Sequence, residues 1–469
     1  MSAATLAKPD ARPHGAAYLQ PDLELALSRR SITSGAAAAI AVALARPAAS
    51  APSPASGRPM NRFRAAISVS PFSESVIQQV RLTDGVVTAG SLRELQLLYV
   101  RHGSTEVYQR IATRRRAPQG QAEHGWERGL ERARLARDLG LPFNPEIGLF
   151  ASYGDAGSYQ EPPDFTDYPS ISLPGPWMSL TLEQMLPPLR AYGALVARQI
   201  LGTGARVSIW DLGNEVDAGV AGVTVRPSML SLAYRGPDAV DPAIGWMTLP
   251  LLFAMPEAAR ISWCRAHLWP STARILSAVA QGIRSVDPSA RFSTHISGAF
   301  QRTSAVPVAF WETMREHGYL PDQFGQTFWG TAGTKQFGPA DTFARLREVA
   351  TELDRRLGRP IFIAEYGFPS ARLPRPYDWN DPQPGYAETE QGQYAFTRDV
   401  VAWGLCTGRL SGIRPWAPDL CTNPGWSPLG WFNASGKAAG AKPVLHAIKH
   451  AIAQADNGGC RALSSRRTF

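Results

Sequence analysis

Two glutamates close apolar runs in this sequence. ARVSIWDLGNE (205–215) ends in Asn214 and Glu215, and RPIFIAEYGFPS (359–370) carries Glu365 behind Ile-Phe-Ile-Ala. A carboxylate at the end of a buried strand is costly unless something uses it. Two carboxylates brought face to face are the equipment for hydrolysing a glycosidic bond: one protonates the leaving oxygen, the other attacks the sugar carbon or activates water. At a separation of roughly 5–5.5 Å the second acts as nucleophile and configuration is retained. Mutual repulsion and burial raise the pKa of one, which then serves as the acid. Glu215 and Glu365 lie far apart in the chain, so the fold must bring them together.

The elements around them alternate. Strands are expected at 65–72, 95–103, 141–150, 205–215, 290–298, 322–330, 359–370 and 410–419. Helices are expected at 104–115, where Ser104 or Thr105 caps and Val107 and Ile111 stand four apart, and at 125–140, with Leu135 and Leu139 on one face and Gly140 as the stop. Further helices are expected at 179–202 (interrupted by Pro187 and Pro188), 256–286 (broken at Pro270), 305–318, 340–358, 388–408 and 441–455. About eight strands alternating with helices predict an α/β fold, a (β/α)₈ TIM barrel, over residues 60–455. The helix-to-strand links are short (202–205, 287–290, 358–359) and the strand-to-helix links long (151–178, 216–255, 371–387). In a parallel barrel the long links gather at the strand C-ends, where such barrels build their sites. Glu215 and Glu365 then end strands four and seven over one mouth. A doubly wound sheet would show a glycine-rich phosphate turn after its first strand, and SPFSES is not one.

LGNE (212–215) and IAEYGFP (363–369) resemble the retaining clan-A glycoside hydrolases, which place Asn-Glu at the end of strand four and Glu at the end of strand seven. ETEQGQYAFTRDVV (388–401), GIRPWAPDL (412–420) and the segment 425–448 most resemble family 53 of that clan, the endo-β-1,4-galactanases. The resemblance implies Glu215 as acid/base and Glu365 as nucleophile. It implies Asn214 bonded to the sugar 2-hydroxyl, Arg101 of YVRHG holding Glu365 ionised, and Trp416 offering its face to a sugar ring. Strand six departs from the family: GQTFWG puts Phe328 and Trp329 where the family has tyrosines that hydrogen-bond the nucleophile. The expected partner is a β-linked polysaccharide or oligosaccharide. A β-glucanase or β-mannanase of the same clan remains an alternative, as does a non-catalytic carbohydrate-binding barrel.

Trp329, with Trp177, Trp246, Trp379 and Trp426, falls in or beside the long loops, where aromatic faces suit sugar stacking. His295, in STHISG on strand five, is expected to reach the mouth and bind sugar. No cofactor or metal is expected: the histidines show no HExxH spacing, and His446 and His450, four apart, fit a solvated helix face.

The 469 residues are 44% hydrophobic, enough for a sizeable core. The net charge of +9 is spread along the chain, densest at Arg114, Arg115 and Arg116, so nucleic acid is not an expected partner. Residues 28–45, SRRSITSGAAAAIAVALA, resemble a bacterial twin-arginine export signal, with Ala49-Ser50-Ala51 as a cleavage site. Removing 1–51 leaves about +7. The expectation is a secreted or periplasmic monomer without stable membrane insertion, ending in a tail at 456–469. Cys264, Cys406, Cys421 and Cys460 lack metal spacing; in an exported protein some pair, and Cys406 with Cys460 is the expected bond.

Overall fold

The computed structural model describes residues 63–115, 124–154, 160–227, 237–297, 303–332, 341–375, 377, 379–457 and 460. The expected signal at 1–51, Arg116 and residues 461–469 of the expected tail lie outside them.

Eight parallel strands carry the fold: β1 (Arg64–Ala65), β2 (Val107–Ile111), β3 (Phe143–Ile147), β4 (Trp210–Leu212), β5 (Phe292–Ile296), β6 (Gln323–Trp329), β7 (Ile361–Gly367) and β8 (Leu410–Pro415). In space they run β1-β8-β7-β6-β5-β4-β3-β2. Thr105 N donates to Ala65 O at 2.9 Å and Tyr108 N to Ser68 Oγ at 2.9 Å, which brings the last strand round to the first. Helices follow the strands in turn: α1 (Leu92–Arg101), α2 (Trp126–Asp138), α3 (Leu182–Gly202), α4 (Trp269–Arg284), α5 (Ala305–Glu316), α6 (Thr342–Leu357), α7 (Glu390–Thr407) and α8 (Ala447–Asp456). This is the (β/α)₈ arrangement expected from the alternation.

One expectation is inverted. Residues 95–103, read as strand two, are mostly α1, and 104–115, read as a helix, contain β2. The helix is written in SLRELQLLYVR: Ser91 accepts from Glu94 N at 3.2 Å and Glu94 Oε2 accepts from Gly90 N at 2.8 Å, while Leu95, Leu98 and Tyr99 form the buried face. VYQRI is buried on both sides of the pleat, so neither a clean alternation nor an unbroken apolar run announces it. The expected break at Pro270 also moves. The helix runs on through a π-turn at Cys264–Leu268, and Pro270 follows directly at the start of α4, where the loosened turn accommodates its missing N–H.

Outward-facing Phe143, Ile147, Trp210, Leu212 and Phe324 are buried beneath the helices, with Trp311 of α5 stacked on Phe324 at 4.4 Å. The barrel interior is ionic. Arg64 binds Glu106 (2.6 Å) and Asn144 (3.0 Å); Arg414 binds Glu146 (2.7 Å) and Asp211 (3.1 Å); Arg110 binds Glu146 (2.5 Å). Buried charges persist when paired and hydrogen-bonded as these are. Cys406 and Cys460 form a disulfide, tying residue 460 to the end of α7, while Cys264 and Cys421 are buried thiols. Among the described residues no helix is long and apolar enough to cross a membrane.

Candidate active site

The chain leaves β4 through a tight turn. Gly213 has φ +75°, and a Cβ there would lie 2.3 Å from a Val216 methyl carbon, so only glycine passes the chain this way. Glu215 holds a left-handed φ of 49°, a conformation costing about 1–3 kcal/mol that survives where its surroundings dictate it. They do. Gly213 N donates to Ile147 O (2.8 Å), and Gln160 Nε2 donates to the Asn214 carbonyl (2.7 Å). Asp217, two residues beyond Glu215, accepts from the backbone N (2.8 Å) and hydroxyl (2.9 Å) of Ser297 beyond β5. Burial raises the Asp217 carboxyl to about 7.

Thr327 stands between the two carboxylates. It is the Cα partner of Glu365 in the β6–β7 register, and its hydroxyl donates to Glu215 Oε1 at 2.9 Å. Adjacent strands lie about 4.8 Å apart, so Glu215 and Glu365 meet across one residue. The register of β6 slips between Gln326 and Thr327, a bulge of the kind that re-aims a side chain beside a site.

Arg110 on β2 joins the same group. Its Nη2 donates to Asn214 Oδ1 (2.7 Å) and to Glu365 Oε1, and its guanidinium lies 4.5 Å from the Trp416 ring centre. Because a guanidinium only donates, the Asn214 oxygen must face it. His295 Nε2, 2.8 Å from that same oxygen, must then carry a proton. Asn214 Nδ2 donates to Gly154 O at 2.6 Å.

Burial governs the electrostatics. It lifts the Glu365 carboxyl above its ordinary value, with the Arg110 guanidinium pulling it down and Glu146 pushing it up. It lifts Asp211 to about 6. It would also lift Glu146, but Arg110 and Arg414 outweigh it and hold that carboxyl to about 2. Burial drops His295 to about 3, so its ring is neutral across the ordinary pH range. Glu146, Asp211 and His295 bring potential ligand atoms within 4.8 Å of one another. The oxygens of Glu146 are taken by Arg110, Tyr108 and Arg414, and Asp211 Oδ2 by Arg414. Two guanidiniums already supply the positive charge there, so the donor set does not fit a divalent cation.

The structure thus brings Glu215, Glu365, Asn214 and Trp416 together and corrects two residues. Arg101 is in the last turn of α1, its side chain 48% exposed and paired with Asp84 at 3.4 Å; the arginine on Glu365 is Arg110. His295 is fully buried and reaches Asn214 rather than open solvent. Trp329 ends β6, packed against Trp379 and Trp426 with ring centres 5.4 and 5.5 Å away. Phe328 points into the core beside Phe396 and Tyr366, leaving Thr327 as the β6 side chain that meets the glutamates. The sequence reading missed Arg110, Thr327, Glu146, Asp211 and Asp217.

A barrel with two glutamates ending β4 and β7 defines the class to which the solved structures can be compared. The chain is similar to the family GH53 catalytic domain of Ignisphaera aggregans, with TM-score 0.58 and 15% identity over 84% of this chain and 97% of that one. It is equally similar to a structure from a study of two fungal beta-1,4-galactanases, with TM-score 0.59 and 15% identity over 82% and 98%. At this identity the likeness is one of fold. No family model and no curated protein matches the sequence.

Proposed function

We propose that this protein is a retaining glycoside hydrolase that cleaves a β-linked polysaccharide, with β-1,4-galactan the first substrate to test. The observation that carries the reading is Thr327, in register with Glu365 and hydrogen-bonded to Glu215, which makes the two carboxylates neighbours at the strand C-ends. Glu365, charge-paired with Arg110, attacks the anomeric carbon and forms a glycosyl-enzyme bond. Glu215, which accepts from the Thr327 hydroxyl, donates its proton to the departing oxygen. It then takes a proton from the water that hydrolyses the intermediate. Asn214, whose oxygen is held by Arg110 and His295, directs its second amide N–H to the sugar 2-hydroxyl. Trp416, half-buried with Arg110 against one face, offers the rest of its ring to a sugar.

Export belongs to the same proposal. The twin-arginine-like segment and the Cys406–Cys460 disulfide both suit an oxidising compartment outside the cytoplasm.

The test is galactan hydrolysis by wild type, Glu215→Gln and Glu365→Gln, with the anomeric form of the first product followed by NMR. Either substitution is expected to lower kcat by about 10³-fold or more while oligosaccharide binding survives. Wild type should release the β-anomer first, and a 2-deoxy-2-fluoro glycoside should label Glu365. Release of the α-anomer, or unchanged activity in both variants, would sink the assignment. Carbohydrate binding without hydrolysis of any β-glycan by wild type would favour the non-catalytic barrel.

A further inference from the structure

On the outer wall, α2 and α3 flank an open groove of about 400 Å³ lined by Arg115, Arg134, Arg137 and Arg198, with Leu130 and Gln199 beside them. Several arginines on other surface helices have carboxylate partners: Arg345 has Glu348, Arg355 and Arg356 share Glu352, and Arg274 has Glu183. Here Arg137 pairs with Asp138 at 2.7 Å, and the Arg115 backbone N–H donates to Asp167 Oδ2 at 3.1 Å. Among the described residues, Arg134 and Arg198 make neither an ion pair nor a hydrogen bond. Four guanidiniums therefore line one groove, and no carboxylate is among the described residues that line it with them.

Like charges at this density attract an anion. Guanidinium forks match the two oxygens of a carboxylate, giving bonds roughly twice as strong as neutral ones. Leu130 is half-buried and supplies an apolar floor of the kind that suits the C–H face of a sugar ring rather than a bare oxyanion. The walls are two packed helices, so the arginines project from a fixed frame. The groove lies on the flank of the barrel, and Gly202 and Thr203 place it towards the end opposite the strand C-ends.

We propose that this groove is a second carbohydrate-binding site, taking the carboxylates of a uronic-acid-containing polysaccharide and tethering the protein to an acidic matrix while the cleft works on neutral β-linked chains. The choice of a carbohydrate ligand rests on the proposed function; the anion preference rests on the groove alone.

The probe is an oligomer of galacturonic acid, titrated into the full protein and into R134E/R198E, with neutral β-1,4-galacto-oligosaccharide, inorganic phosphate and single-stranded DNA as comparisons. Wild type should bind the uronate in preference to all three and lose affinity between 50 and 300 mM NaCl. The double variant should lose at least about tenfold in affinity, since charge-assisted bidentate contacts are removed and reversed. Its melting temperature and its rate on a small aryl galactoside should match wild type. R134K/R198K, which keeps the charge but not the fork, should fall between. Equal uronate binding by wild type and R134E/R198E overturns the proposal. So does competition by phosphate at the same concentration, which would mean an inorganic-anion site only, or tighter binding of DNA through the same arginines. If no β-glycan is hydrolysed yet the charge-reversal loss persists, the cleft assignment fails and the groove stands.

Discussion

At the scale of single residues, Arg110 couples the pieces of the site. One nitrogen of its guanidinium reaches both Asn214 and Glu365, while another binds Glu146. Its positive charge opposes the burial that raises the Glu365 carboxyl. Replacing it by methionine keeps most of the apolar stem and removes the charge, so Glu365 ionises only at higher pH. The expected result is an acid limb of kcat/KM shifted upward by at least about one pH unit, with activity at pH 5 reduced by about 10²-fold or more. Arg110→Lys should recover part of the shift. A pH–rate profile measures both, and an acid limb that stays in place or moves downward would remove Arg110 from this role. The sequence advertised Glu215 and Glu365 because each ends an apolar run. Arg110 was hidden because an ionic barrel interior puts charge inside a strand, where sequence patterning expects apolar residues.

At the scale of elements, the strand ends are built by exclusion of side chains. A Cβ on Gly367, two residues past Glu365, would come 2.4 Å from Trp329 and 3.1 Å from Leu429. Gly367→Ala must therefore push Trp329 from its seat against Trp379 and Trp426. The expected cost is about 1–3 kcal/mol of stability, together with a KM rise for long substrates that exceeds any change for a small aryl glycoside. Thermal melts and paired kinetics on the two substrates check this; an equal rise for both would mean Trp329 does not bind the chain beyond the cleavage point. Six of the eight barrel strands lie inside their expected segments because each follows a helix with a clear period and a short link. The first is expected to reach residue 72, but its pairing covers only Arg64–Ala65. The second was exchanged with its helix. There the capping pattern Ser91–Glu94 marks the helix, while the apolar run LQLLYV imitates a strand. The positions of Thr327 and Asp217 rest on a register slip and a cross-strand bond, and neither leaves a mark in sequence.

At the scale of the whole molecule, the ionic interior sets how stability responds to acid. Four buried groups pull in opposite directions between about pH 4.5 and 6. His124 and His295 titrate near 3 in the fold against 6.5 unfolded, so the unfolded chain holds two more protons there and acid destabilises. Asp211 and Asp217 titrate near 6 and 7 against 3.8, so the native state holds two more protons there and acid stabilises. Burial raises Glu365 and Asp419 in the same stabilising direction. The slopes largely cancel. Below about pH 4 the balance ends, because the unfolded aspartates take up protons as well. Glu146, near 2 in the fold against 4.5 unfolded, then adds to the two histidines. From these three groups the unfolded chain is ahead by up to three protons, a slope on the order of 4 kcal/mol per pH unit, and the lowered carboxyls of Asp84, Glu74 and Asp164 act in the same direction. The melting temperature is therefore expected to change little from pH 6 to 4.5 and to collapse below pH 4. Differential scanning calorimetry across that range measures it. His124→Gln, which removes one of the three protons at a position packed beside Phe72 and Tyr153, should soften the acid collapse and tilt the plateau, so that the melting temperature rises from pH 6 to 4.5 as the two aspartates outweigh the one remaining histidine. A steady decline from pH 6 downward would mean that the interior aspartates are ionised in the fold and leave the histidines unopposed.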